Sequence, residues 1–114
     1  MTINDKYRIK RMALGMTQKE FGAIADVDEG IISLFERGEY INGIEYEKIK
    51  YNVENYIRSF NREKYLTTRI MEETLMFRNE TDEHERHKIL SHLMIHVSKL
   101  NMDLVNPEYR KNRY

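Results

Sequence analysis

The chain has no cysteine among its 114 residues. That excludes a disulfide framework, a thiolate metal site and a thiol nucleophile. Proline occurs once, so little interrupts helical stretches. There is no net charge, because 19 Lys and Arg offset 19 Asp and Glu. A nucleic-acid binder of this composition has to gather its cations on one face, since it has no excess of them. No apolar run approaches the ~18 residues that a membrane span requires. The Met1 end shows no basic segment followed by an apolar one, so no secretory leader and a soluble, cytoplasmic protein are expected. A glycine-rich phosphate loop and a serine in a nucleophile elbow are also missing. No enzymatic activity and no cofactor are therefore expected.

What is present favours helices. Hydrophobic residues make up 40% and charged residues 33%, a balance that suits a folded helical chain and argues against disorder. The strongest local pattern is TQKEFGAIADVDEGIISLFERG, residues 17–38. Thr17 followed by Glu20 has the spacing of a capping box. Phe21, Ile24 and Ala25 then give residues 18–25 an apolar helical face. Asp26 stands where a turn needs a left-handed residue, and Asp tolerates that geometry. Val27 is a short apolar peg. Asp28 caps a second helix whose buried face is read as Ile31, Ile32 and Phe35, and Gly38 closes it as the glycine beyond the last turn.

This stretch resembles the helix-turn-helix of the lambda Cro/repressor-like family, also called the xenobiotic-response-element type. The matching residues are Thr17, Gln18, Glu20, Phe21, Val27, Ile32, Ser33 and Phe35 through Gly38, preceded without a gap by Arg11, Leu14, Gly15 and Met16. The likeness covers roughly residues 3–53. It implies a structural ion pair between Arg11 and Glu36. It also implies that the second helix of the motif enters the major groove of double-stranded DNA, with Asp28, Glu29, Gly30, Ser33 and Leu34 facing bases. Thr17 and Gln18 at the start of the preceding helix, and the flanking Lys19, Arg37 and Asn42, would then meet phosphates.

Two departures stand out. Family members commonly carry Gln, Arg, Lys, Asn, Ser or Thr at the base-facing positions, whereas this chain has Asp26, Asp28 and Glu29. Carboxylates suit a helix N-terminus but repel phosphates. One can accept a hydrogen bond from a cytosine amino group; three together also suit a protein partner with a basic surface. The cationic attraction for DNA would come from Lys6, Lys10, Lys19, Arg37 and the tail residues Arg110, Lys111 and Arg113. The second departure is the fourth helix. Where the family pattern breaks near Val53, nothing interrupts residues 44–60.

The remaining elements follow from periodicity. A first helix is expected from Asn4 or Asp5 to Leu14, with Ile3 stapling its start, Tyr7, Arg11 and Leu14 on one face, and Lys6, Arg8 and Lys10 solvated. Asn42-Gly43 signals a turn, and residues 61–64 form a junction. Residues 65–79 and a helix from Glu83 to Asn101 or Leu104 then make an αα-hairpin, the second helix starting at an Asp82/Glu85 capping box and ending before Pro107.

The expected class is thus all-α: a lambda-repressor-like helix-turn-helix head over residues 1–62, a helical hairpin over 63–105, and a basic tail over 106–114. Such a hairpin is too small to bury its own apolar faces. Leu66, Ile70, Leu75, Phe77, Leu90, Leu93, Met94, Val97 and Leu100 are assigned to contact with a second copy, the alternative being that the hairpin completes a monomeric core. His84, His87, His92 and His96 lie on one helix. Their spacing permits two-histidine contacts but supplies too few ligands for a zinc site, so no metal is expected and they read as solvent-facing or interface groups, with pH-sensitive pairing as a weaker alternative. Carboxylates are taken to sit on solvated faces, and the methionines as core filler. The function expected is a sequence-specific transcriptional regulator of bacterial or phage type, a repressor that binds a palindromic operator as a homodimer. The rival reading is a protein-binding module, an antirepressor or an inhibitor of a nucleic-acid enzyme, working through its acidic helix.

Overall fold

Six helices account for the computed structural model, which describes residues 1–106; no strand occurs among them. They are α1 (Ile3–Ala13), α2 (Gln18–Ala25), α3 (Glu29–Glu36), α4 (Gly43–Arg58), α5 (Arg62–Asn79) and α6 (Glu83–Val105). The chain divides into two units, Met1–Ser59 and Phe60–Tyr114. The boundary falls just ahead of the expected one, because Asn61 caps α5, accepting a 2.8 Å bond from the Lys64 N–H, and the helix starts at Arg62 instead of Tyr65. The polar run 61–64 is therefore a helix start rather than a linker. The basic tail lies outside the described residues.

In the first unit each helix begins on a polar cap. Thr2 and Asp5 form a capping box at α1, placing its start earlier than periodicity suggests. Thr17 and Glu20 form the expected one at α2. Asp28 caps α3 and Asn42 caps α4. Such caps satisfy backbone N–H groups that a helix cannot satisfy itself. The core comprises Tyr7, Ile9, Phe21, Ala25, Ile32, Phe35, Ile49, Val53 and Ile57. Phe35 lies at its centre, edge-on to Tyr7 at 5.9 Å and to Tyr46 at 5.8 Å between ring centroids, an arrangement that aromatic quadrupoles favour. Ile9 was not foreseen as core. Lys10 also departs from expectation: it is buried rather than solvated, its ammonium 3.9 Å from Glu54 and over the Tyr7 ring. The stem lies in apolar surroundings while the charge finds a carboxylate.

The second unit is a hairpin built differently. Its α5–α6 seam contains charges. Arg62 Nε donates to Asp103 Oδ2 at 2.5 Å, and Asp103 is 2% exposed. Arg69 reaches Glu72 at 2.7 Å and Glu73 at 3.4 Å on its own helix. His96 Nδ1 stands 2.7 Å from Glu73 Oε1. Glu72, Glu73 and Asp103 are thus buried, contrary to the expectation that the carboxylates are solvated. Desolvating a carboxylate is costly unless it is paired, and each of these has a partner. Among the described histidines, His84, His87 and His92 are exposed and only His96 turns inward.

Candidate functional site

The α2–α3 connection follows from three residues. Asp26, at the end of α2, adopts φ 61° and ψ 43°, the left-handed geometry expected of it. Gly22, one turn earlier, has no room for a side chain: a Cβ there would lie 2.7 Å from the Val27 carbonyl oxygen. The Val27 N–H bonds to the Gly22 carbonyl at 3.0 Å. This close backbone approach brings the start of α3 against α2. Asn52 from α4 holds the connection from behind, donating to the Ala25 carbonyl at 2.8 Å, and Lys48 lies 3.5 Å from both the Asp26 carbonyl and its carboxylate.

The far end of α3 is fixed by charge. Arg11 Nε donates to Glu36 Oε2 at 2.6 Å and Nη2 to Oε1 at 3.0 Å, while Nη1 donates to the Met16 carbonyl at 2.8 Å. Arg11 and Glu36 therefore meet as the resemblance implied, in a bidentate, mostly buried pair, a geometry that guanidinium matches better than ammonium. Gln18 Nε2 also donates to Glu36 Oε1, at 3.1 Å. Gln18 is thereby engaged within the fold and half-buried, where the sequence reading gave its side chain to a phosphate. Asn4 completes the arrangement by donating to the Phe35 carbonyl at 2.8 Å.

These anchors leave one face of α3 outward. Ile32 and Phe35 are buried and Ile31 is half-buried, so the apolar side is spent on the core. Asp28, Glu29, Gly30 and Arg37 are exposed; Ser33 and Leu34 are half-exposed. Thr17, Lys19 and Asn42 flank them, also exposed. Two of these expected contact residues are occupied as caps: Asp28 Oδ2 accepts from the Gly30 N–H at 2.9 Å, and Asn42 Oδ1 from the Glu45 N–H at 2.8 Å. Arg37 is also engaged, bonded to Glu39 at 2.7 Å and to Ser33 Oγ at 3.2 Å. Beside Asn42, a shallow hollow over α4 is lined by Ile44, Glu47, Lys48, Tyr51 and Asn52. The outward side of α3 thus offers carboxylates that accept hydrogen bonds and a hydroxyl, with a guanidinium at its far end.

Reading the sequence missed Asn4, Gly22, Lys48 and Asn52. Gly22 had a signal, since a glycine inside a helical pattern often marks close packing. The others act on carbonyls distant in sequence and left none. Comparison with protein-family models, with curated proteins and with solved structures finds no match to this chain.

Proposed function

We propose that the first unit is a helix-turn-helix head of the lambda-repressor-like kind, and that the protein is a sequence-specific DNA-binding regulator acting as a repressor on a twofold operator. The observation carrying this reading is the anchored, outward presentation of α3. Its hind end is gripped through Glu36 by Arg11 and Gln18, its buried face is filled by Ile32 and Phe35, and its front, from Asp28 to Ser33, meets solvent. A helix of that presentation is what major-groove readers use. Lys19 and the backbone at the start of α2 would meet phosphates, and Glu29 would accept from a cytosine amino group.

Selection of bound duplexes from a random pool tests it. The expected result is a twofold-symmetric motif bound more weakly as salt rises; recovery of no motif overturns the reading. Glu29→Lys is expected to tighten non-specific binding and relax selectivity, because it replaces an exposed anion at the front of α3 with a cation.

A second reading has an observation of its own. Two cations beside α3 are already engaged, Lys48 with Asp26 and Arg37 with Glu39, while Asp28 and Glu29 remain exposed. Such a surface suits a basic protein partner, by like-with-unlike charge. Salt-sensitive binding to a cationic protein, with no DNA selected, favours this alternative.

A further inference from the structure

Helix α6 carries two apolar seams, and the hairpin uses one. Ile89, Leu93, His96, Leu100 and Asp103 recur at alternating steps of four and three residues and are buried or half-buried; His96 and Asp103 bond to α5. Leu90, Met94, Val97, Asn101 and Leu104 repeat the same spacing one residue on, which turns the second seam about 100° from the first around the helix. That is close to the right angle between neighbours in a four-helix bundle. This second seam is open: Met94 is 63% exposed, Val97 47% and Leu104 62%. A hollow of about 480 Å³ lies along it, lined by Leu93, Met94, Val97, Ser98 and Asn101. The outward residues of α5 are instead mostly polar, Thr67, Thr74 and Arg78 beside a lone Met71.

We infer that a second copy of this chain covers the open seam, α6 lying parallel to its symmetry mate so that the two Asn101 side chains meet. Two features select a copy over an unrelated apolar helix. The stripe from Leu90 to Leu104 runs about 21 Å at 1.5 Å per residue, and the ten residues between Lys88 and Lys99 include no Lys, Arg, Asp or Glu, so the surface does not repel itself. Asn101 interrupts the stripe with an amide at a core-type position; a parallel copy supplies a matching amide, whereas another apolar helix leaves it unsatisfied. The open side chains of the seam itself, Leu90, Met94, Val97 and Leu104, leave on the order of 400 Å² per copy, so the pair buries less than the ~1,200–2,000 Å² of stable interfaces and forms as a concentration-dependent dimer. This deepens the dimeric part of the proposed function and rests on that reading only for the expectation that two copies act together.

Sedimentation of the full chain over a wide concentration range tests the pairing. The expected result is a monomer–dimer equilibrium, with Met94→Glu weakening it about 100-fold or more while helical content by circular dichroism is unchanged. A chain that stays monomeric throughout, or a Met94→Glu variant that pairs as before, overturns the inference. Because the natural chain has no cysteine, Asn101→Cys reports orientation: a parallel pair oxidises to a covalent dimer, and a non-covalent dimer that fails to cross-link overturns the parallel register. Asn101→Leu is expected to tighten association and admit higher oligomers; a variant that remains a dimer of unchanged affinity counts against a paired Asn101. DNA selection is scored separately. A dimer that selects no DNA removes the proposed function and leaves the pairing, and a monomer that selects a single half-site removes the pairing and the twofold operator and leaves DNA recognition by α3.

Discussion

The two units weight charge and oil differently. In the first, the interior is mainly aliphatic and aromatic, with Phe35 between Tyr7 and Tyr46, and buried charge is limited to Lys10 and the Arg11–Glu36 pair. In the second, Arg62, Glu72, Glu73 and Asp103 are buried while Leu90, Met94, Val97 and Leu104 stay open. The contrast teaches that one chain separates two tasks. Apolar packing shapes the head, whereas in the hairpin the Arg62–Asp103 and Glu73–His96 pairs tie α5 to α6 and part of its apolar surface stays open.

The largest expected effect comes from the head's centre. Phe35→Ala should cost about 4 kcal/mol, the usual loss on emptying a fully buried aromatic site. Denaturant titration measures it, and a loss below ~1 kcal/mol would break the claim that the head is held by packing. Next is Arg62→Ala, at about 3 kcal/mol, because Asp103 would be left buried without its guanidinium. The double variant Arg62→Met with Asp103→Leu sharpens the comparison: it is expected to recover most of that loss or exceed wild type, as when an apolar pair replaces a buried ionic one. A double variant as unstable as the single one would mean that the pair holds the hairpin by attraction rather than by avoiding an orphaned charge. Gly22→Ala should cost about 1–3 kcal/mol, since its Cβ meets a backbone carbonyl that cannot step aside; native-state hydrogen exchange at the start of α3 locates the damage.

The smallest effect is Thr17→Ala, about 1 kcal/mol for a lost N-cap. It carries a pH signature. The Thr17 backbone N–H, and then its hydroxyl, hold the Glu20 carboxyl below the ordinary glutamate range. Because the folded value is lowered, this contribution is complete at neutral pH. It begins to fade as pH enters the ordinary range and is gone once pH falls through the lowered folded value. Asp5 behaves alike through the Thr2 N–H. Thr17→Ala removes only the hydroxyl's share and keeps the backbone N–H, so the acid limb of stability should become slightly shallower, whereas Glu20→Gln should remove this contribution to it.

The head was readable where the chemistry is local. Thr17 with Glu20, Asp26 and Gly38 announce a cap, a left-handed turn and a helix end within a few residues of themselves, and the structure has each of them. The Arg11–Glu36 contact came from the resemblance, and no spacing rule supplies it. The hairpin was readable as two helices but not as a charged seam. Arg62 and Asp103 are 41 residues apart, and Glu73 and His96 are 23 apart; a carboxylate that is buried by a distant partner looks in sequence like one in water. Leu66, assigned to a second copy, is 2% exposed and has no surface to offer one. Gln18 shows the same limit in the site, since its tie to Glu36 spans 18 residues and takes up the group assigned to a phosphate.

The grip on Glu36 has a consequence for whatever touches the opposite end of α3. One carboxylate is held by α1 and α2 together, so rolling or tilting α3 would break contacts to two neighbours at once. Any partner at that end would find little left to order and would be sorted by shape.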